Sequence, residues 1–270
     1  MTATLRVLAG LLLLGGVLVG APAHARPWDD AQRLCQVKDA RIRENSGMSR
    51  STYARPVLFA HNDSGGGPQF FALGTGCRTK AVFDVPGAPA KDWEDMASGP
   101  GHTLWFGDIG DNNLKRSEIN VVVVKEPRRL RSRALGYRSY RLSYPDGPHN
   151  AESLMVRPTT GRLYVITKAS AGAGIYRAPA TLDPDHVNPL TRIADAPGQG
   201  LSGADFAPRG GRFVLRGYPT AYVFSGMHDT PTKVPLPTAH TFGEAVTFSR
   251  DGALILGAEG VHEWVWRIRR

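Results

Sequence analysis

Five times along the chain a carboxylate stands at or just before a short apolar run containing small residues. The copies are Glu44 in ENSGM, Glu94 in EDMA, Glu152 in ESLMV, Asp205 in DFA and Glu244 in EAVTF, spaced 50, 58, 53 and 39 residues apart. After each, a second apolar run ends on another polar residue: Asn62-Asp63 after VLFAH, Asp108 after LWFG, Lys168 after LYVIT, Arg216 after FVL and Glu259 after LILGA. Brought to one place, Glu44, Asp63, Glu94, Asp108, Glu152, Asp205, Glu244 and Glu259 would oppose only Lys168 and Arg216. Crowded like charges repel, and some must take up protons unless a cation joins them. Clustered carboxylates suit a hard divalent ion such as Ca²⁺. Lys168 and Arg216 would face a small anionic or polar ligand, Arg216 with a planar fork and Lys168 with a point charge.

Two loops add candidates. Asp108-Ile-Gly-Asp111-Asn112-Asn113 is an oxygen-rich turn in which Gly110 permits the bend; its spacing is not that of an EF-hand. Asp108, Asp111 and Asn112 either ligate a metal or cap the turn on backbone amides. His61-Asn62-Asp63 with the glycines that follow is either a ligand-binding loop or a Gly-rich hairpin connection. The inner acids likewise have a second reading, as ties from one structural unit to the backbone of the next. No G-x-S-x-G elbow, P-loop, H-E-x-x-H or C-x-x-C is present, so serine-hydrolase, nucleotide and zinc-protease chemistry lack support.

The elements that must position these residues are strands. Of 270 residues, 31 are Gly and 20 Pro, and 41% are hydrophobic, which suits short strands joined by tight turns around a sizeable core. Only a start at Trp28–Lys38 reads as helical; beyond it, β-rich runs recur from 56–60 to 263–268, punctuated by Gly, Pro, Asp and Asn. The repeat length matches one four-stranded propeller blade. The expectation is one all-β domain, a single β-propeller of five blades, with six as the alternative count. In that fold the start of each inner strand and the end of the second share one face of the disc. Residues 244–270 leave room for three strands, so an N-terminal strand, Gln36–Ile42, is expected to close the ring and remove its free edges.

Residues 1–25 read as a secretory signal peptide. Arg6 is the positive flank, Val7 to Gly20 is the apolar stretch, and Ala23-His24-Ala25 precedes cleavage after Ala25. The stretch is shorter than the roughly 20 residues a spanning helix needs. The propeller domain is then 26–270, extracellular, with no further transmembrane segment. Cys35 and Cys77 are the only thiols, and export favours a disulfide between them over two buried free thiols. Formal net charge is +9, carried mostly by Arg. The Arg128, Arg129, Arg131 and Arg133 cluster falls between strand-like runs and reads as a solvated loop. Nucleic acid is a poor partner for an exported chain, and a monomer is expected.

The ordered set ENSGM, HNDSGG, DWEDMA, FGDIGDNN, KEP, NAESLMV, LYVITK, SGADF and GEAVTF resembles a group of secreted bacterial β-propellers, loosely WD40-like and phytase-like. The resemblance covers nearly the whole mature chain. It implies Ca²⁺ at the channel mouth and phosphoester hydrolysis, with the acids above as ligands and Lys168 and Arg216 as phosphate partners. The dense multi-aspartate pattern of a propeller phytase is missing. Two functions are therefore expected. One is a secreted propeller binding a divalent cation and a small polar or anionic ligand, with metal-assisted phosphoester or ester hydrolysis as its chemistry. The other is a non-catalytic module binding an envelope protein or glycan.

Overall fold

The structure, a computed structural model, describes residues 28–53, 56–63, 65–238 and 242–270. The expected signal peptide lies outside them. Among the described residues no helix is long and apolar enough to cross a membrane.

The first strand, β1 (Gln32–Gln36), is the outermost strand of the last blade. Blade one is β2 (Asn45–Arg50), β3 (Leu58–Asn62), β4 (Gln69–Leu73) and β5 (Thr79–Asp84). Blade two follows as β6 (Trp93–Gly99), β7 (Thr103–Asp108) and β8 (Ile119–Lys125). The short β9 (Arg133–Ala134) then returns to pair in parallel with β5, before β10 (Tyr137–Ser143) completes blade two. Blade three is β11 (Ala151–Val156), β12 (Leu163–Thr167), β13 (Gly174–Arg177) and β15 (Thr191–Asp195). Between its last two strands, β14 (Asn188–Pro189) pairs in parallel with β10. Blade four is β16 (Gly203–Phe206), β17 (Phe213–Arg216), β18 (Thr220–Phe224) and β19 (Thr232–Pro235). Blade five, β20 (Val246–Phe248), β21 (Leu254–Leu256) and β22 (Trp264–Ile268), receives β1 as its fourth strand.

The fold is thus the five-bladed all-β propeller. β9 and β14 cover blade edges that would otherwise expose unpaired backbone. Arg133 of the arginine cluster therefore belongs to a strand.

The chain start corrects two expectations. Trp28–Lys38 is not helical, and the closing strand is Gln32–Gln36 rather than Gln36–Ile42. Pairing with β22, from Gln32 opposite Arg267 to Gln36 opposite Trp264, overrides local helix preference because an unpaired β22 would leave an open edge. The Cys35–Cys77 disulfide, with Cα atoms 5.7 Å apart, joins this strand to blade one.

Apolar residues on facing sheets form one cluster at each of the five blade interfaces. Phe59, Phe70 and Phe83 of blade one meet Trp93, Met96 and Phe106 of blade two. Val37, Met48 and Phe71 meet Ala245, Ile255 and Val265 where blade five closes on blade one. These clusters fix blade angles, and through them the inner strands β2, β6, β11, β16 and β20 stand around one channel.

Candidate functional site: the acidic channel mouth

The geometry of the mouth starts with a backbone irregularity. In blades one, two and three the pairing of first and second strands slips once, between Asn45 and Gly47, Trp93 and Asp95, and Ala151 and Ser153. The extra residues are Ser46, Glu94 and Glu152, and a bulge re-aims the side chain it frees. Gly203 opposite Arg216, and the Gly257 amide donating to the Ala245 carbonyl, place Ser202 and Glu244 at the same level in blades four and five. The inner ring is therefore Ser46, Glu94, Glu152, Ser202 and Glu244.

Glu44 lies two residues earlier, level with Asp92, Asn150 and Phe242. The carbonyls of these four accept the amides of Asp63, Ile109, Lys168 and Glu259 respectively. Asp205 lies three residues past the ring position and faces deeper into the channel. Arg216 is two residues short of the lip, where blade four instead presents Tyr218.

Three carboxylates converge between blades one and two. Asp63, Asp92 and Glu94 each offer an oxygen, all within 4.8 Å of one another. Glu94 is 4% exposed, and among the described residues its carboxyl accepts no hydrogen bond. Burial first, then the charges of Glu152, Asp63 and Asp92, push it up to about 10, against the pull of Lys168. Gly110 forms the floor: a Cβ there would lie 2.2 Å from both Asp92 Oδ2 and Glu94 Oε1. The glycine thus serves close approach of two carboxylates. Asp92 was not legible as a site residue, because the acid spacing pointed to its neighbour.

Around the rest of the ring the acids have partners. Lys168 donates to Glu152 Oε2. Burial would depress the Lys168 ammonium, but Glu152, Glu244 and Glu94 hold it above the usual lysine range. Burial outweighs Lys168 at Glu152 and raises that carboxyl. Tyr218 Oη donates to Glu244 Oε1 at 2.5 Å, while Glu244 Oε2 is buried without a partner among the described residues. Glu259 is raised by burial and by Glu244 and Glu44.

The Asp108–Asn113 turn is held by capping. Asp108 Oδ1 accepts the amides of Lys91 and Asp92 at 2.9 and 2.8 Å. Its Oδ2 accepts Arg116 at 2.8 Å and Asn120 at 3.0 Å, so neither oxygen is open to a cation. Asp111 accepts the amides of Lys115 and Arg116 at 3.0 and 2.7 Å, and Asn112 Oδ1 accepts Asn150 Nδ2 at 3.1 Å. Asn62 clamps the approach to β2 by accepting the amides of Arg43 and Glu44 and donating to the Arg41 carbonyl. His61 is buried against the edges of Trp93 and Phe106, and burial lowers it to about 4, so it is neutral at physiological pH.

Two deeper acids tie blades together. Asp205 Oδ2 accepts Arg50 at 3.0 Å, Thr247 Oγ1 at 2.7 Å and the Phe248 amide at 2.9 Å. Asp95 was not singled out from the sequence, where it is simply the acid after Glu94. It is fully buried; its Oδ2 accepts the amides of Leu154 and Ala204 at 2.9 and 3.0 Å, and its Oδ1 that of Met96 at 2.8 Å. Arg216 is also fully buried. Its Nη1 donates to the carbonyls of Ala245 and Gly257, each at 2.7 Å, and burial lowers it to about 10. A Cβ on Gly243 would fall 1.4 Å from Arg216 Nη2, so the chain passes directly over the guanidinium.

No protein-family model matches the chain, and no curated protein matches it. Solved structures do. The apo form of the soluble aldose sugar dehydrogenase from Escherichia coli aligns at 11% identity and a TM-score of 0.51, over 89% of this chain and 99% of that one. The PQQ-bound aldose sugar dehydrogenase from Streptomyces coelicolor gives 12% and 0.48, over 89% and 98%. The nidogen/laminin complex gives 13% and 0.49, over 80% and 73%. At these identities the likeness to the Escherichia coli enzyme is one of fold alone, and it places this chain among β-propellers.

Proposed function

We propose that the acidic mouth binds a divalent cation, Ca²⁺ foremost, through Asp63, Asp92 and Glu94, and that the bound ion and Lys168 together hold a small polar or anionic ligand. The observation that carries this is the buried Glu94 carboxyl, whose oxygen lies within 4.8 Å of those of two further carboxylates. A charge in that position is costly unless a counter-ion neutralises it. Oxygen-only donors favour Ca²⁺ over softer metals. The Cys35–Cys77 disulfide suits an exported, extracellular chain, where calcium sites work in the 10⁻⁴–10⁻³ M range of roughly that order.

Metal-assisted hydrolysis of a phosphoester or ester would use the ion to polarise the scissile group and Glu152 as general base. The burial of Arg216 on backbone carbonyls withdraws the planar fork that phosphate recognition would use. That favours ligand binding, including capture of an envelope protein or glycan, over phosphoester turnover.

Thermal melting in graded Ca²⁺ and in chelator tests the cation site. A native-state ligand at a hundred times its Kd stabilises by about 2.7 kcal/mol. The melting temperature should rise with Ca²⁺ in the native chain and stay flat in Glu94→Gln. Equal melting temperatures across the range would sink the cation reading. A panel of chromogenic phosphate and acyl esters separately tests turnover.

A further inference from the structure

The opposite end of the channel has the reverse character. There the inner strands finish at Arg50, Gly99, Val156, Phe206 and Phe248, and the turns that follow bring Pro158, Pro208 and Arg250 around a cavity of about 410 Å³. Arg50, Thr52 and His102 also line it.

Arg50 is 7% exposed. Its Nη1 is held by Asp205 Oδ2 at 3.0 Å, with the Phe206 and Phe248 carbonyls at 3.5 and 3.4 Å. Its Nη2 and Nε have no partner among the described residues, so a rigidly seated guanidinium keeps donors to spare. Arg250 uses Nη2 on the carbonyls of Ser51 and Thr52, at 3.3 and 2.6 Å, and likewise leaves two nitrogens. Glu126 is committed: it accepts Ser51 Oγ, Thr52 Oγ1 and, at 2.9 Å, the Thr52 amide. Asp251 is paired with Arg267.

A second cavity of about 310 Å³ shares Arg50, Ser51 and Arg250 with the first, and runs along Leu34, Val57, Leu58 and Ile255. A charged chamber and an apolar groove therefore meet at the same two arginines. Guanidinium groups with unspent donors recognise carboxylate and phosphate, while a groove lined by aliphatic side chains favours an apolar body.

We propose that this far mouth is a binding site for a small amphipathic anion, its carboxylate or phosphate head between Arg50 and Arg250 and its apolar body along Leu34, Val57 and Ile255. It is independent of the cation site at the other mouth.

Calorimetric titration of the whole chain with octanoate, phenyl phosphate, inorganic phosphate and octanol tests it. Octanoate or phenyl phosphate should bind saturably, and which binds tighter identifies the head group. Inorganic phosphate, lacking the body, and octanol, lacking the charge, should each bind at least about tenfold more weakly. Arg250→Gln, which leaves the Arg50–Asp205 pair intact, should weaken the preferred anion about tenfold, and Glu94→Gln should leave it unchanged. Circular dichroism confirms that both variants are folded. Failure of both amphipathic anions to saturate, equal binding of octanoate and octanol, or unchanged affinity in folded Arg250→Gln would overturn the proposal.

Discussion

Asp95 accepts the amide of Ala204 at 3.0 Å although 109 residues separate them, and the same oxygen accepts the amide of Leu154. One carboxylate therefore joins the inner strands of blades two, three and four. Burial raises its pKa well above the usual carboxylate range, and the three amides it accepts oppose that shift. Asp95→Ala strands three buried amides, each costing about 1–3 kcal/mol when unpaired. The expected loss is about 3–5 kcal/mol in denaturant unfolding. Asp95→Asn, which keeps a carbonyl for the two cross-blade amides, should lose less. Equal losses in the two variants would refute the bridging role.

Glu94 makes metal-free stability depend on pH. Its folded value of about 10 lies above the ordinary 4.5, so through that window the fold holds a proton that the unfolded chain has released. Stability in chelator should therefore fall as pH rises from the mid-fours toward 10. Glu94→Gln, which cannot ionise, should flatten that slope. Added Ca²⁺ should flatten it too, by favouring the charged form. Unfolding curves at several pH values, with and without calcium, provide the check; an identical slope in the variant would remove Glu94 as its cause.

Gly110 predicts a separation of folding from binding. A methyl group there meets Asp92 Oδ2 and Glu94 Oε1 at 2.2 Å, so Gly110→Ala must push the two carboxylates apart. The chain should still fold, with calcium affinity reduced by about tenfold or more. Titration calorimetry reads this directly, and native affinity in the variant would show that the carboxylates need no such floor.

Arg216 distinguishes a structural cation from a ligand-facing one. Arg216→Lys retains charge but is shorter than the arginine whose Nη1 reaches the carbonyls of Ala245 and Gly257, and it lacks the rest of the guanidinium. It should cost about 1–3 kcal/mol of stability, while the folded fraction keeps its calcium-dependent melting shift. A variant with native stability but no calcium response would reverse this assignment.

The blades, their number and the closure by an N-terminal strand were legible from alternating apolar runs, turn residues and repeat length. What the letters hid was register. A bulge adds one residue to one strand, and nothing in ENSGM announces that Ser46, not Glu44, matches Glu94. The same single-residue logic separates Glu94, at the mouth, from Asp95, at the axis. Asp205 resembled a ring acid by composition, yet β16 pairs with β17 without a slip and carries it three positions deeper. The Trp28–Lys38 segment misled for another reason: its strand exists only because β22, more than 220 residues later, needs a partner.

That last pairing has a consequence for the order of events in the protein's making. Gln32 finds its partner only when Arg267 has been synthesised, so the ring has its ends united by contacts between residues more than 220 positions apart. Contacts of such separation form slowly, because loop-closure entropy is spent before they reward it. Early blades can assemble as each is completed, but the disc stays a split washer until the final strand arrives. The Cys35–Cys77 bond ties β1 to blade one and leaves the β1–β22 seam to strand pairing. Oxidation thus fixes the strand that receives β22, while the late joining itself stays non-covalent.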